Sequence, residues 1–270
     1  VLRELPLVGV CIPASGPHVS PRTLKSLATA VESFGYHSVA VAQQPLEAGE
    51  PVWDDEELPD GPTYDTIGLL TWVAAKTETV RLRTDVPFPL TDEPVTVIQR
   101  IATLDHLSGH RVDVGYVLRC RPDDVALPGM APDEQWRRYE DYVKNVLVRW
   151  GPWDLGGSGS GGPVPSGDGA GATGDGLTIT FVDWDDTAAK IRWYRELGGA
   201  GPVVLQAGPP PVEAVDLGAR HPWAEQSVYD DLLRAKECGV QEVDWDMNRA
   251  GWGPDRQVTA LRDLAERLAP

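Results

Sequence analysis

The chain has 270 residues, 41% of them hydrophobic and 24% charged, which suits one domain over 1–270 with a single sizeable core. A formal net charge of −17 and a pI near 4.6 repel phosphate backbones and anionic lipid, so neither nucleic acid nor a membrane surface is an expected partner. Cys11, Cys120 and Cys238 form no Cys-x-x-Cys pair, which argues against a zinc site or a redox dithiol; with no secretory leader in view, the cytoplasm is the expected compartment.

Leu7 to Pro13 is an apolar run closed by Pro, Gly and Ser, and reads as a buried strand. Ser20 and Pro21 then open a helix as N-cap and first helical residue. Leu24, Leu27, Ala28 and Val31 form its apolar face and Gly35 ends it. Ser38 to Gln44 is the second strand, followed by an acidic, Pro-rich loop from Pro45 to Pro62. Thr63 to Thr79 is an amphipathic helix, and Val80 to Val86 a strand stopped by Pro87 and Pro89. Pro94 to Leu107 is the next helix, Arg111 to Leu118 a strand, and Asp133 to Trp150 a helix.

From Gly151 to Gly176 the chain is dominated by Gly, Ser and Pro and reads as a flexible segment. Alternation then resumes: strand Leu177 to Val182, helix Asp186 to Leu197, strand Pro202 to Gln206, helix Trp223 to Cys238, strand Glu242 to Met247 and helix Asp255 to Leu268. Repeated strand–helix units imply a parallel α/β sheet, either doubly wound or closed as an eightfold barrel. An eighth strand, between Trp150 and Leu177, is expected to be short or absent.

The stretch IATLDHLSGHRVDVGYVL, Ile101 to Leu118, resembles the signature of luciferase-like flavin and deazaflavin (F420) oxidoreductases. Gly9 to Pro13, then Glu32, Gly35 and Tyr36, resemble the family's opening unit. Arg81, Leu82, Thr84, Val86 and Pro94 are similar to its third, and Arg138, Glu140 or Asp141, Leu147 and Trp150 to a later helix. The resemblance covers 1–150 well and 239–268 more loosely. It implies a (β/α)8 TIM barrel with one unit reduced or replaced by the Gly-rich segment, and an active site at the C-terminal ends of the strands. It also implies hydride transfer or oxygen activation with F420 or, less favoured, FMN, and a homodimer acting on a small organic molecule.

Several positions depart from the family pattern. Gln43 and Gln44 stand where the family often carries Asp-His, so general-acid chemistry is lost from that position. Gly115 is kept in the fourth strand, but Val117 and Arg119 replace the next two glycines; the guanidinium of Arg119 suits an anionic substrate or a phosphate. Gly174-Asp175-Gly176 echoes a family G-D-G-W, and the Gly-rich segment that contains it reads as a linker or, alternatively, as a phosphate nest. The resemblance implies a cis peptide at Asp85–Val86 supporting the cofactor ring, with Gln43, Asp85, Val86 and Gly115 around the cofactor.

In the last strand, Val243, Trp245 and Met247 share one face, and Glu242, Asp244 and Asp246 the other. The apolar face is expected to meet the helices and the acids to point into the barrel. Arg83 and Asp113, on neighbouring strands, are expected to form an interior ion pair, because two unpaired buried charges would be costly. Gln44, Tyr116, Arg119, Asp244 and Asp246 are the candidate catalytic groups.

No metal site is expected. His106 and His110 are split by a helix end, whereas His18 stands at the expected mouth. Asp183, Asp185 and Asp186 read as a helix cap or, alternatively, as cation or substrate ligands. Trp184, Trp245 and Trp252 are candidates for an aromatic pocket; Trp72, Trp136 and Trp150 lie at helical positions and read as core or interface residues. Two functions remain open: a luciferase-like oxidoreductase, or a homologue without cofactor that catalyses a cyclisation, isomerisation or elimination, or that serves as a binding or non-catalytic subunit.

Overall fold

A computed structural model of the protein describes residues 5–42, 63–87, 94–117, 164–166, 177–196, 201–208, 228–250 and 252–268. Eight parallel strands follow one another around a closed barrel: β1 (Leu7–Ile12), β2 (Ser38–Ala42), β3 (Arg81–Pro87), β4 (Val112–Val117), β5 (Val164–Ser166), β6 (Leu177–Thr180), β7 (Val203–Ala207) and β8 (Glu242–Asp246). β8 returns to β1 in register from Leu7↔Glu242 to Cys11↔Asp246. The described helices are α1 (Pro21–Ser33), α2 (Thr66–Ala74), α3 (Pro94–Ser108), α4 (Trp184–Glu196), α5 (Val228–Cys238) and α6 (Pro254–Leu268). A 3-10 turn, Met247–Ala250, follows β8.

The expected short eighth strand is β5, three residues within the Gly-rich stretch, joined to β6 by the register pair Ser166↔Thr178. The rest of that stretch, the 45–62 loop and the 133–150 helix lie outside the described residues.

Local chemistry sets the element ends. Ser20 caps α1 by accepting from the Thr23 amide, Pro21 occupies the first turn, and Gly35 turns the chain out at φ +82°. α2 begins at Thr66 rather than Thr63 because the Asp65 carboxylate accepts from the Gly68 amide at 2.6 Å. It ends at Ala74 rather than Thr79 because the following turn is held from outside the helix. The Glu32 carboxylate accepts from the Glu78, Thr79 and Val80 amides and from the Thr79 hydroxyl.

The strands bury their outer faces against the helices. Val10, Ile12, Val39, Val41, Leu82, Val243 and Trp245 join Leu24, Val31, Leu70, Val73, Ile101, Leu104, Leu261 and Leu264 in one core. Each such side chain contributes about 1.5–3 kcal/mol on leaving water. Trp245 meets Tyr36 edge to face at 5.8 Å, and the Tyr36 hydroxyl donates to the Leu261 carbonyl of α6 at 2.7 Å. The outer face of β8 is therefore apolar, as its alternation predicts, which leaves the inner face to its acids.

Candidate functional site

Inside the barrel, β8 carries Glu242 and Asp244, both buried. Arg83 of β3 donates to Asp244 Oδ2 at 2.6 Å and to Glu242 Oε2. The Ser38 hydroxyl of β2 donates to Glu242 Oε1 at 2.7 Å. The expected pair between Arg83 and Asp113 is not made, although the two are register partners. Asp113 is held instead by Arg81, through Nε at 2.6 Å and Nη2 at 2.5 Å, and those bonds keep the Arg81 guanidinium above its usual range.

Volume on the intervening strands explains the exchange. Between β3 and β8 the inner positions are Ala40 on β2 and Gly9 on β1, in register with Arg83 and Asp244. A Cβ on Gly9 would lie 2.1 Å from both Asp244 Oδ1 and Ser38 Oγ. Small residues there let Arg83 reach across to two carboxylates, and Asp113 falls to the arginine one layer below.

Higher on β8, Asp246 is buried and its Oδ1 accepts from the Asn248 amide at 3.0 Å and from Asn248 Nδ2 at 2.7 Å. The same Nδ2 lies 3.7 Å from Cys11 Sγ on β1. Asn248 thus fixes the carboxylate of a predicted site residue at the C-terminal end of its strand. On the other side of the barrel the backbones of Asp85 and Val86 pair in register with Gly115 and Tyr116, gathering four predicted positions at the ends of β3 and β4. No cis peptide occurs among the described residues, so the expected one at Asp85–Val86 is corrected to trans. Gln43, Gln44, Arg119 and 174–176 lie outside the described residues.

A cavity of about 330 Å³ opens between the β1–α1 and β8–α6 connections. It brings together two predicted candidates, His18 and Trp252, with Asn248 and Gln257, which sequence reasoning missed. Gln257 carried a signal: it shares a face of α6 with buried Ala260, Leu261 and Leu264, a polar residue at a core position. The other two tryptophans of the expected aromatic pocket are elsewhere. Trp245 faces the helices, and Trp184 packs on Phe181 at 4.9 Å beneath the Arg234 guanidinium. Asp183 is a cap, accepting from the Asp186 amide at 2.8 Å.

The most recognisable motif of the chain proves architectural. Asp105 accepts from His110 Nδ1 at 2.8 Å and from the Val112 amide; Gly109 and His110 turn the chain at φ +73° and +64°. Arg111 then donates to the carbonyls of Ser108, Ala74, Thr77 and Val80 and to the Thr77 hydroxyl. This joint clamps the end of α2 and the start of β3 to β4. Burial lowers the Arg111 pKa, and Glu32 nearby opposes that shift.

Comparison with known proteins agrees with this architecture. Residues 8–169 match the family described as luciferase-like monooxygenase. An uncharacterised protein of Mycobacterium tuberculosis is 30% identical over 150 residues, 53% of this chain and 52% of that protein. The chain thus spans about half the length of the curated relatives it matches. Among solved structures, the monooxygenase RslO1 of Streptomyces bottropensis superposes with a TM-score of 0.68 at 16% identity, over 97% of this chain and 98% of that one. A coenzyme F420-dependent tetrahydromethanopterin reductase of Methanopyrus kandleri gives 0.65 at 16% identity, over 98% of each. Identities this low show a shared fold alone.

Proposed function

Since this chain belongs to the luciferase-like monooxygenase family, we propose that it is an oxidoreductase acting on a small organic molecule with F420, or as second choice FMN, as hydride carrier. The observation that carries this reading is the register of β3 and β4, where Asp85 stands beside Gly115 and Val86 beside Tyr116 at the strand ends. A glycine beside the rim supports this reading, because it lets a flat ring lie against the backbone. Its phosphate would fall to Arg119, because Arg81 and Arg83 in the described wall are bound to carboxylates.

The carrier, when bound, supplies or accepts the hydride. The chain's own part is to orient and to exclude water. Asp246, fixed by Asn248, would orient a polar group of the substrate at the end of β8. Asp244, tied to Arg83, would act beneath it as a rigid floor. Gln44 would hydrogen-bond without exchanging a proton.

One observation favours a second reading, a homologue without cofactor that performs a non-redox step or only binds. The described inner wall sets Arg81 and Arg83 against Asp113, Glu242, Asp244 and Asp246, an acidic excess that disfavours a phosphate-bearing carrier. Titrating the purified protein with F420 and with FMN, following fluorescence, separates the two. Tight binding of either supports the oxidoreductase; absence of both transfers the assignment to the second reading.

A further inference from the structure

The cavity between the β1–α1 and β8–α6 connections meets that reading only at Asn248, which lines it and fixes Asp246. We propose that it is a separate binding site for a small neutral molecule with an aromatic or alicyclic body and one O–H or N–H donor. Its 330 Å³ falls within the roughly 300–1,000 Å³ usual for ligand pockets. The walls are more apolar than polar, with Val19, Leu27, Met247 and Trp252 among them, and the described lining residues include no Lys or Arg. Among those described residues no Lys or Arg faces an anionic ligand, and an apolar body has surface to cover.

The donor requirement comes from Gln257. This residue is 5% exposed, and its Nε2 donates to the Trp252 carbonyl at 2.8 Å, which fixes the orientation of the amide. Its Oε1 is a buried acceptor without a partner. Buried acceptors are nearly always satisfied, and Gln257 is one of the residues that line the cavity, so the partner assigned to this oxygen is a ligand donor. A ligand hydroxyl or ring N–H meets that need while its body packs on Trp252. Asn248, on the same wall, joins the site to Asp246 in the barrel.

The test uses the intact protein without added cofactor, with 4-fluorophenol and 4-fluoroanisole as probes followed by fluorine NMR. They share a ring and differ in the donor. The phenol should bind about tenfold more tightly, the worth of one buried hydrogen bond. Gln257→Leu should erase that preference, and Ser15→Phe, which fills the cavity from its loop side, should abolish binding of both. Failure of either probe to bind wild type, as when the cavity holds only water, overturns the proposal. So does equal affinity for the two probes, or binding that survives Ser15→Phe. Should Gln257→Leu not fold, the wild-type preference and the Ser15→Phe result decide.

Discussion

Arg83 and Arg111 are both buried, one inside the barrel and one outside it between α2, α3 and β4. Arg111 spreads its charge over carbonyl oxygens and a hydroxyl close to it in the chain or at the end of α2, where carbonyl dipoles already point outward. Arg83 answers two carboxylates on a strand 159 and 161 residues further along the chain. The first is a matter of shape, the second of charge balance. Only the first leaves a compact mark in the sequence.

The largest effect should come from unbalancing the interior. Arg83→Met leaves Glu242 and Asp244 facing each other and should cost about 3–5 kcal/mol in urea unfolding. Adding Glu242→Gln and Asp244→Asn should recover part of that loss; no recovery would mean that the guanidinium acts by packing, not by charge. Arg111→Ala should cost about 2–3 kcal/mol, because several buried carbonyls lose their donor. Lysine should separate the two sites. It keeps the charge but not the planar fork, so Arg111→Lys should fall nearly as far as Arg111→Ala, whereas Arg83→Lys should retain much of the wild-type stability.

Gly9→Ala attacks the interior through space instead of charge. The new methyl meets Asp244 and Ser38, and a loss of about 1–3 kcal/mol is expected from the same unfolding assay. Asp231 on α5 sharpens the contrast, since it is buried and its Oδ2 has no hydrogen-bond partner. Burial, helped by Asp230 and opposed by Arg234, pushes its pKa from 3.8 up to about 6. The folded state then holds the proton more tightly than the unfolded one, so this group favours folding at low pH and loses that contribution as pH rises through about 6. Asp231→Asn should therefore melt higher than wild type at neutral pH, with the gap closing as pH falls toward the ordinary carboxyl range. The smallest effect is expected at Arg81 and Asp113, which are partly exposed. Asp113→Asn should cost about 1 kcal/mol or less, and less still in high salt.

The same difference explains what could be read in advance. Strand–helix alternation, the Ser20 cap, the Gly35 exit and the two faces of β8 are local patterns, and the structure bears them out. The span Thr63–Thr79 exceeds α2 at both ends because Asp65 and Glu32 compete for its amides, and Glu32 lies 46 to 48 residues from those it holds. The partner of Arg83 was missed because it depends on how little Gly9 and Ala40 occupy, which no pairwise reading of Arg83 and Asp113 contains. Gln257 is hard to read from sequence because a lone polar residue on a helix face is usually solvated, and here the face is inward.

The slenderness of β5 bears on how the ring comes apart. Among the described residues it has three residues and one register pair to β6, a weaker fastening than the five register pairs between β1 and β8. Thermal breathing should begin there, so that the circle opens first into a C-shaped sheet whose two arms meet at β8 and β1. The charged bolt between Arg83 and β8 lies on the far side of that gap, which keeps those arms joined while the seam parts.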